Sequence, residues 1–244
     1  INNPVAAYCI LARMQVYQGQ LHAANDILKK ASQLIHEPGG QYFGVFGLVE
    51  IGIAALLYEW NEVEGARVRL MGSLDYLPWW GKTDDECLAD ITLSRIQLAQ
   101  GSLTEAADTI EKAAKLIQTC GVFSEARSTV EAAQVKIWLK QENWPAIDRW
   151  ITTPKNRFKM DEPLFYEDEQ TMISLARVWT AQKKLGEAIQ LLSRLEENAR
   201  SARRMGCLLE ILILKALALQ KFGDTKKAEH VLGESLALAE PEGY

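Results

Sequence analysis

Four cations, Arg13, Arg95, Lys136 and Arg177, fall at intervals of 82, 41 and 41 residues. Cations repeated in register along stacked elements could receive a carboxylate, a phosphate or an acidic peptide tail, because charge-assisted hydrogen bonds to such groups are among the strongest a protein makes. The plainer reading is a solvated face on which these cations pair with neighbours such as Asp90 and Glu131. Tyr17, Tyr58 and Glu59 stand close to the same positions along the period, so the candidate ligand contacts are Tyr17, Tyr58, Glu59, Arg95, Lys136 and Arg177. Trp79 and Trp80, between a Pro and a Gly, are a second candidate. Their rings either stack on a flat ligand, a sugar or a partner, or fold back over the apolar ends of neighbouring elements.

Other chemistry finds little support. Gly81-Lys82-Thr83 matches the tail of a phosphate-binding loop, but the first glycine of that motif would fall on Tyr76 and no strand precedes it. It reads better as a turn opening a helix, with Asp84, Asp85 and Glu86 complementing the helix dipole. Cys9, Cys87, Cys120 and Cys207 are far apart and form no CxxC or zinc spacing; His22, His36 and His230 lie far from them. Neither a metal site nor a cofactor is expected. No nucleophile elbow, zincin or EF-hand pattern occurs, and three scattered histidines offer little acid–base capacity near neutral pH. An enzyme is therefore not expected.

Composition narrows the field further. The 244 residues are 48% hydrophobic and 24% charged, as in a folded globular chain rather than a disordered or fibrous one. A net charge of -5 disfavours direct contact with duplex nucleic acid, whose affinity rests on neutralising phosphates. No apolar run approaches the roughly 20 residues of a membrane span. Free cysteines on apolar helix faces suit a reducing cytoplasm. The start at Ile1-Asn2-Asn3-Pro4 has neither an initiator Met nor a signal pattern, which reads as a chain excised from a longer one.

The elements that must position the cations follow from an internal repeat. Turn-like segments place anchors at residues 19, 61, 101, 142, 183 and 223, spaced 40 to 42 residues apart. Five residues after each come Ala24, Ala66, Ala106, Ile147, Ala188 and Ala228; nine after come Leu28, Leu70, Ile110, Ile151, Leu192 and Leu232. Seven before are Ala12, Ala54, Ser94, Val135, Ala176 and Ala216; five before are Met14, Leu56, Ile96, Ile137, Val178 and Ala218. The four cations occupy the position six before, where the other two repeats have Ala55 and Leu217. Each repeat therefore predicts a helical hairpin in which an anchor Gly or Asn supplies the positive φ of a helix C-cap and small residues let the two helices approach. One hairpin cannot bury its apolar stripe, whereas six stacked ones can.

The expected fold is all-α: a right-handed tetratricopeptide-like α-solenoid of about six helix-hairpin repeats with a period of about 41 residues, its concave groove lined by the first helix of each repeat. Period alone favours HEAT or armadillo repeats at about 40 to 47 residues, but the Gly, apolar and Ala columns are those of tetratricopeptide repeats, whose usual period is about 34. A single domain over 1–244 is expected, with repeats at about 4–38, 42–78, 84–120, 123–154, 163–200 and 202–240. Loops at 75–86 and 152–169 carry the turn residues, and Pro154 should cut the second helix of repeat four short. Trp138, Trp144 and Trp179 sit at apolar columns and read as core.

Three stretches resemble the MalT-like branch of LuxR-type bacterial transcriptional regulators. They are Ala55 to Ala66 (ALLYEWNEVEGA), Leu208 to Asp224 (LLEILILKALALQKFGD) and Ser235 to Tyr244 (SLALAEPEGY), the last being the most specific. The usual Gln-Gly before the second helix of repeat five is replaced by Lys183-Lys184. The resemblance implies a large cytoplasmic regulator with an ATPase of the STAND class before the repeats and a LuxR-type helix-turn-helix after them. This chain would be the sensor, with ATP and DNA sites in flanking regions that it lacks.

Two functional readings stand. In the first the groove binds a small inducer whose unequal affinity for two arrangements of the solenoid shifts their populations. In the second it is a protein-binding scaffold that holds a regulatory protein or other domains of the same regulator, with no small ligand. A pocket lined by Tyr58, Glu59 and the cations favours the first; an open groove with exposed apolar patches favours the second.

Overall fold

The computed structural model describes residues 4–35, 43–76, 83–119, 124–153, 156 and 165–244. Among these the chain is all-helical, an α-solenoid of tetratricopeptide-like hairpins. The first three hairpins are α1 (Pro4–Tyr17) with α2 (Leu21–Ile35), α3 (Phe43–Glu59) with α4 (Val63–Ser73), and α5 (Thr83–Ala99) with α6 (Leu103–Thr119). The next three are α7 (Ser124–Lys140) with α8 (Trp144–Thr152), α9 (Glu169–Ala181) with α10 (Leu185–Ser201), and α11 (Met205–Phe222) with α12 (Thr225–Ala239). At nine residues α8 is the shortest of them, ending just before Pro154. Thr83 opens α5 with Asp84, Asp85 and Glu86 in its first turn, where carboxylates favour the dipole. Gly81, Lys82, Trp79 and Trp80, like most of the loops at 75–86 and 152–169, lie outside the described residues.

All six anchors are left-handed. Gly19, Asn61, Gly101, Glu142, Lys183 and Gly223 have φ between 54° and 98°. In each turn the next N–H reaches back five residues, from Gln20 to the Gln15 carbonyl through to Asp224 to the Leu219 carbonyl, at 2.8–3.0 Å. That bond is the signature of a Schellman cap and satisfies a carbonyl that the helix end orphans. The requirement for Gly or Asn does not hold at two anchors: Glu142 and Lys183 adopt the same conformation, against a cost of about 1 kcal/mol for an L-residue. Arg203 forms a further turn of this kind between α10 and α11, with φ 55°. Nothing in the 41-residue spacing marks it.

After each turn the second helix begins when the residue five past the anchor donates its N–H to the carbonyl of the residue one past it, as Ala66 does to Glu62 and Ala106 to Ser102. These six residues are all buried, as are the six that stand seven before the anchors. Small side chains at these columns bring the backbones of a hairpin close enough for Ser94 Oγ to donate to the Ala106 carbonyl at 3.0 Å. The columns five before and nine after the anchors fill the remaining space, with Leu56, Ile96, Ile137, Val178, Leu28, Leu70, Ile110 and Leu192 buried. Each of these columns has one exposed member, and it lies at an end of the series: Met14 is 53% exposed and Leu232 is 44% exposed.

The chain divides into two compact units, residues 1–130 with 242–244 and residues 131–241, the division falling within α7. In the first, Ala12, Leu21, Ala24, Leu28 and Leu56 form one cluster, and Ile51, Ala54, Ala66, Leu70, Ala89 and Ile96 another. In the second, Val135, Ile147, Trp150, Ile173, Val178, Leu192, Leu195, Leu208 and Leu212 belong to one continuous core. Trp138 and Trp179 pack against that core as expected. Trp144 does not: it is the first residue of α8 and is 38% exposed.

Candidate functional site

Arg95, Lys136 and Arg177 of the cation column are held by carboxylates, while Asp90, one of the neighbours expected to pair with them, meets Lys112. In the first unit Arg95, on α5, donates from Nη2 to Glu59 Oε1 at 2.6 Å. Glu59 ends α3, where the dipole disfavours a carboxylate, so the guanidinium offsets an electrostatic cost. The same guanidinium lies over the Tyr58 ring, 4.2 Å from its centroid, a distance at which the ring's negative face attracts a cation. Tyr58, Glu59 and Arg95 thus form one cluster. Tyr17 ends α1 in an exposed position, and Arg13, one turn earlier, is also exposed.

In the second unit Lys136 on α7 and Arg177 on α9 converge on a single oxygen. Lys136 Nζ and Arg177 Nη2 stand 2.8 Å and 2.6 Å from Glu210 Oε1 on α11. Two cations sharing one carboxylate leave a surplus of one positive charge among the three groups. Arg177 Nε is buried without a hydrogen-bond partner among the described residues. A guanidinium has five donors and no acceptor, so an unfilled donor beside surplus positive charge favours an anion. Sequence reasoning missed Glu210 because it lies off the cation column, one repeat beyond Arg177 and two beyond Lys136.

Other ion pairs tie helices together. Asp90, buried on α5, meets Lys112 on α6 at 3.2 Å; burial pushes its carboxyl above the usual range while the ammonium pulls it back. Glu50, also buried, meets Arg69 at 3.2 Å. The most enclosed pair is Glu169 with Arg204. Arg204 donates from Nε and Nη2 to the Glu169 carboxylate at 2.6–3.1 Å and from Nη2 to Asn198 Oδ1, and lies 5.6 Å from the Tyr166 ring centroid. The Glu169 hydrogen bonds raise the Arg204 pKa further. Burial first, then Glu169, pushes the Cys207 thiol upward, and burial pushes the Cys9 thiol up to about 12. Reactive cysteines need the opposite shift, so both are poor nucleophiles. Among the described residues no cluster of His, Cys, Asp and Glu could hold a metal ion, and no helix is long and apolar enough to cross a membrane.

A family model for the MalT-like TPR region matches residues 2–244. The chain belongs to that family. Two curated relatives, both an HTH-type transcriptional regulator MalT and both from strains of Klebsiella pneumoniae, are each 26% identical over 229 residues. The match covers 93% of this chain but 25% of each relative, so the chain spans about a quarter of their length. Among solved structures, a Podosopora anserina putative kinesin light chain with nearly identical TPR-like repeats, and a point variant of it, align at 17% identity with TM-scores of 0.38 and 0.37. The alignments cover 98% and 96% of this chain and 97% and 94% of those.

Proposed function

We propose that this MalT-like TPR region is the non-catalytic, ligand-sensing part of a cytoplasmic bacterial transcriptional regulator, acting as one repeat domain over 1–244 whose first helices receive an anionic inducer. The single observation that carries the reading is the convergence of Lys136 and Arg177 on one Glu210 oxygen, beside a buried Arg177 donor without a partner among the described residues. Tyr58, Glu59 and Arg95 supply a second group, an aromatic face with one cation held by a carboxylate. In the resting protein the carboxylates stand in for the ligand. An incoming phosphate or carboxylate displaces them and pulls on the helices that carry these groups, α3 and α5 at one cluster and α7, α9 and α11 at the other. A ligand shifts a conformational equilibrium only by its difference in affinity for the two states, and exchanging interhelical partners is a direct way to create that difference. The role in transcription rests on the relatives' name, HTH-type transcriptional regulator MalT, and the handling of ATP and DNA outside this chain rests on the sequence resemblance.

The competing reading is a scaffold for a regulatory protein or another domain of the same regulator. Exposed Ile213, Leu217, Leu232 and Leu236 on α11 and α12 favour it. A thermal-shift screen against sugars, sugar phosphates, organic acids, nucleotides and aromatic metabolites separates the two. A ligand at about 100 times its Kd adds roughly 2.7 kcal/mol to the folded state, which in a chain of this size raises Tm by about 5–10 °C. The expected hit is anionic and is lost in Arg95→Ala/Lys136→Ala, whose own Tm stays near the wild-type value because half-exposed pairs contribute little. Silence across the screen, with a protein captured by the α11–α12 face, would establish the scaffold instead.

A further inference from the structure

The start of α2 is capped from a distance. Position for position, α8 and α12 open with Asn143 and Asp224, whose side chains accept a backbone N–H from their own first turns. At the same place α2 has Gln20, and its first turn contains no acidic residue. The first N–H groups of a helix have no acceptor within it. The missing acceptor comes from Glu242, whose Oε2 receives the His22 N–H at 3.0 Å across 220 residues of sequence. A carboxylate there also lies at the positive end of the dipole.

Two further contacts fix the same segment. Trp60, immediately after α3, donates its indole N–H to the Glu242 carbonyl at 2.9 Å, and its ring lies 5.8 Å from that of His22. Tyr244 packs beside Trp60 on the cluster of Ala12, Leu21, Ala24, Leu28 and Leu56. Between them Gly243 takes φ 76°, which glycine adopts without strain. An added Cβ would meet the Trp60 ring at an ordinary 3.5 Å, so backbone conformation rather than space calls for glycine.

We propose that the notch formed by the N-terminus of α2 and Trp60 is a docking site for a Glu-Gly-Tyr segment, filled by the chain's own residues 242–244 as a releasable latch on the first two hairpins. Recognition divides into three parts: the carboxylate caps α2, the indole N–H reads the backbone between Glu and Gly, and the tyrosine fills the apolar floor. The inference is independent of any ligand in the cation column, and its test uses none.

The experiment is amide hydrogen exchange at His22 together with the NMR position of the Trp60 indole N–H. In the wild-type chain the His22 amide is protected. In Glu242→Ala/Tyr244→Ala it exchanges about tenfold faster, the scale on which losing an N-cap acts, and the Trp60 indole resonance moves upfield, while amides in α5 and α6 are unchanged. A synthetic peptide with the sequence of residues 238–244 then restores both signals when added to the variant, and the same peptide with alanine for tyrosine does not. Equal His22 exchange in the two chains, or a peptide that restores neither signal, overturns the proposal.

Discussion

Leu192→Ala lowers the stability of the protein by about 3 kcal/mol, whereas Leu232→Ala, the same substitution at the same repeat position, costs less than about 1 kcal/mol. Both leucines stand nine residues after an anchor, on the second helix of a hairpin. Leu192 is fully buried on α10 within the core cluster that also holds Leu195 and Leu212, so truncation removes its transfer free energy and leaves a cavity in that core. Leu232, on α12, already meets water over 44% of its surface, so alanine there forfeits little burial and opens no closed cavity. Thermal unfolding should show a fall of roughly 6–12 °C for the first and a few degrees at most for the second. Equal effects would mean that the repeat register assigned to α12 is wrong.

Arg204→Ala should be as costly, for a different reason. It strands the Glu169 carboxylate, which is 5% exposed, and removes hydrogen bonds to Glu169 and Asn198 at once. Breaking one partner of a buried pair typically costs about 3–5 kcal/mol, because a charge stays behind without compensation. Replacing both partners is milder: Glu169→Gln/Arg204→Met keeps volume and removes both charges, and should recover more than half of the loss. Urea unfolding of the two variants beside the wild type checks this. If the double variant is as unstable as Arg204→Ala, the arginine acts through packing or through the start of α11 rather than through the charge.

What could be read from the sequence is what repeats. The anchors predicted six left-handed turns, and the small columns Ala12 to Ala216 and Ala24 to Ala228 predicted six buried hairpin contacts, because a solenoid imposes the same local packing in every repeat. The exceptions have local causes. Met14 and Leu232 occupy buried columns but belong to the first and last hairpins. Trp144 matches an apolar column yet is the first residue of the shortest helix and is 38% exposed. Arg203 turns the chain without glycine and outside the period, so no pattern announces it.

The candidate site was half legible. Its cations recur every 41 residues or a multiple of that, and periodicity found them. Their partners do not recur: Glu59 closes one helix and Glu210 sits within another, each chosen by tertiary geometry alone. The same holds for Glu242, whose contact with His22 spans 220 residues, a separation that no 41-residue period announces. Periodic reasoning finds scaffolds and columns, while unique long-range pairs need coordinates.

The sensing proposal is tested most directly by thermal-shift titration with inorganic pyrophosphate of the wild-type chain, Glu210→Gln and Lys136→Ala/Arg177→Ala. If the carboxylate occupies the place of an anionic ligand, neutralising it frees two cations, so Glu210→Gln should show a larger rise in its own midpoint than the wild type and a half-saturating concentration about tenfold lower. The double variant should show no rise. Identical titrations for all three proteins would contradict an anion-receiving groove at Lys136 and Arg177.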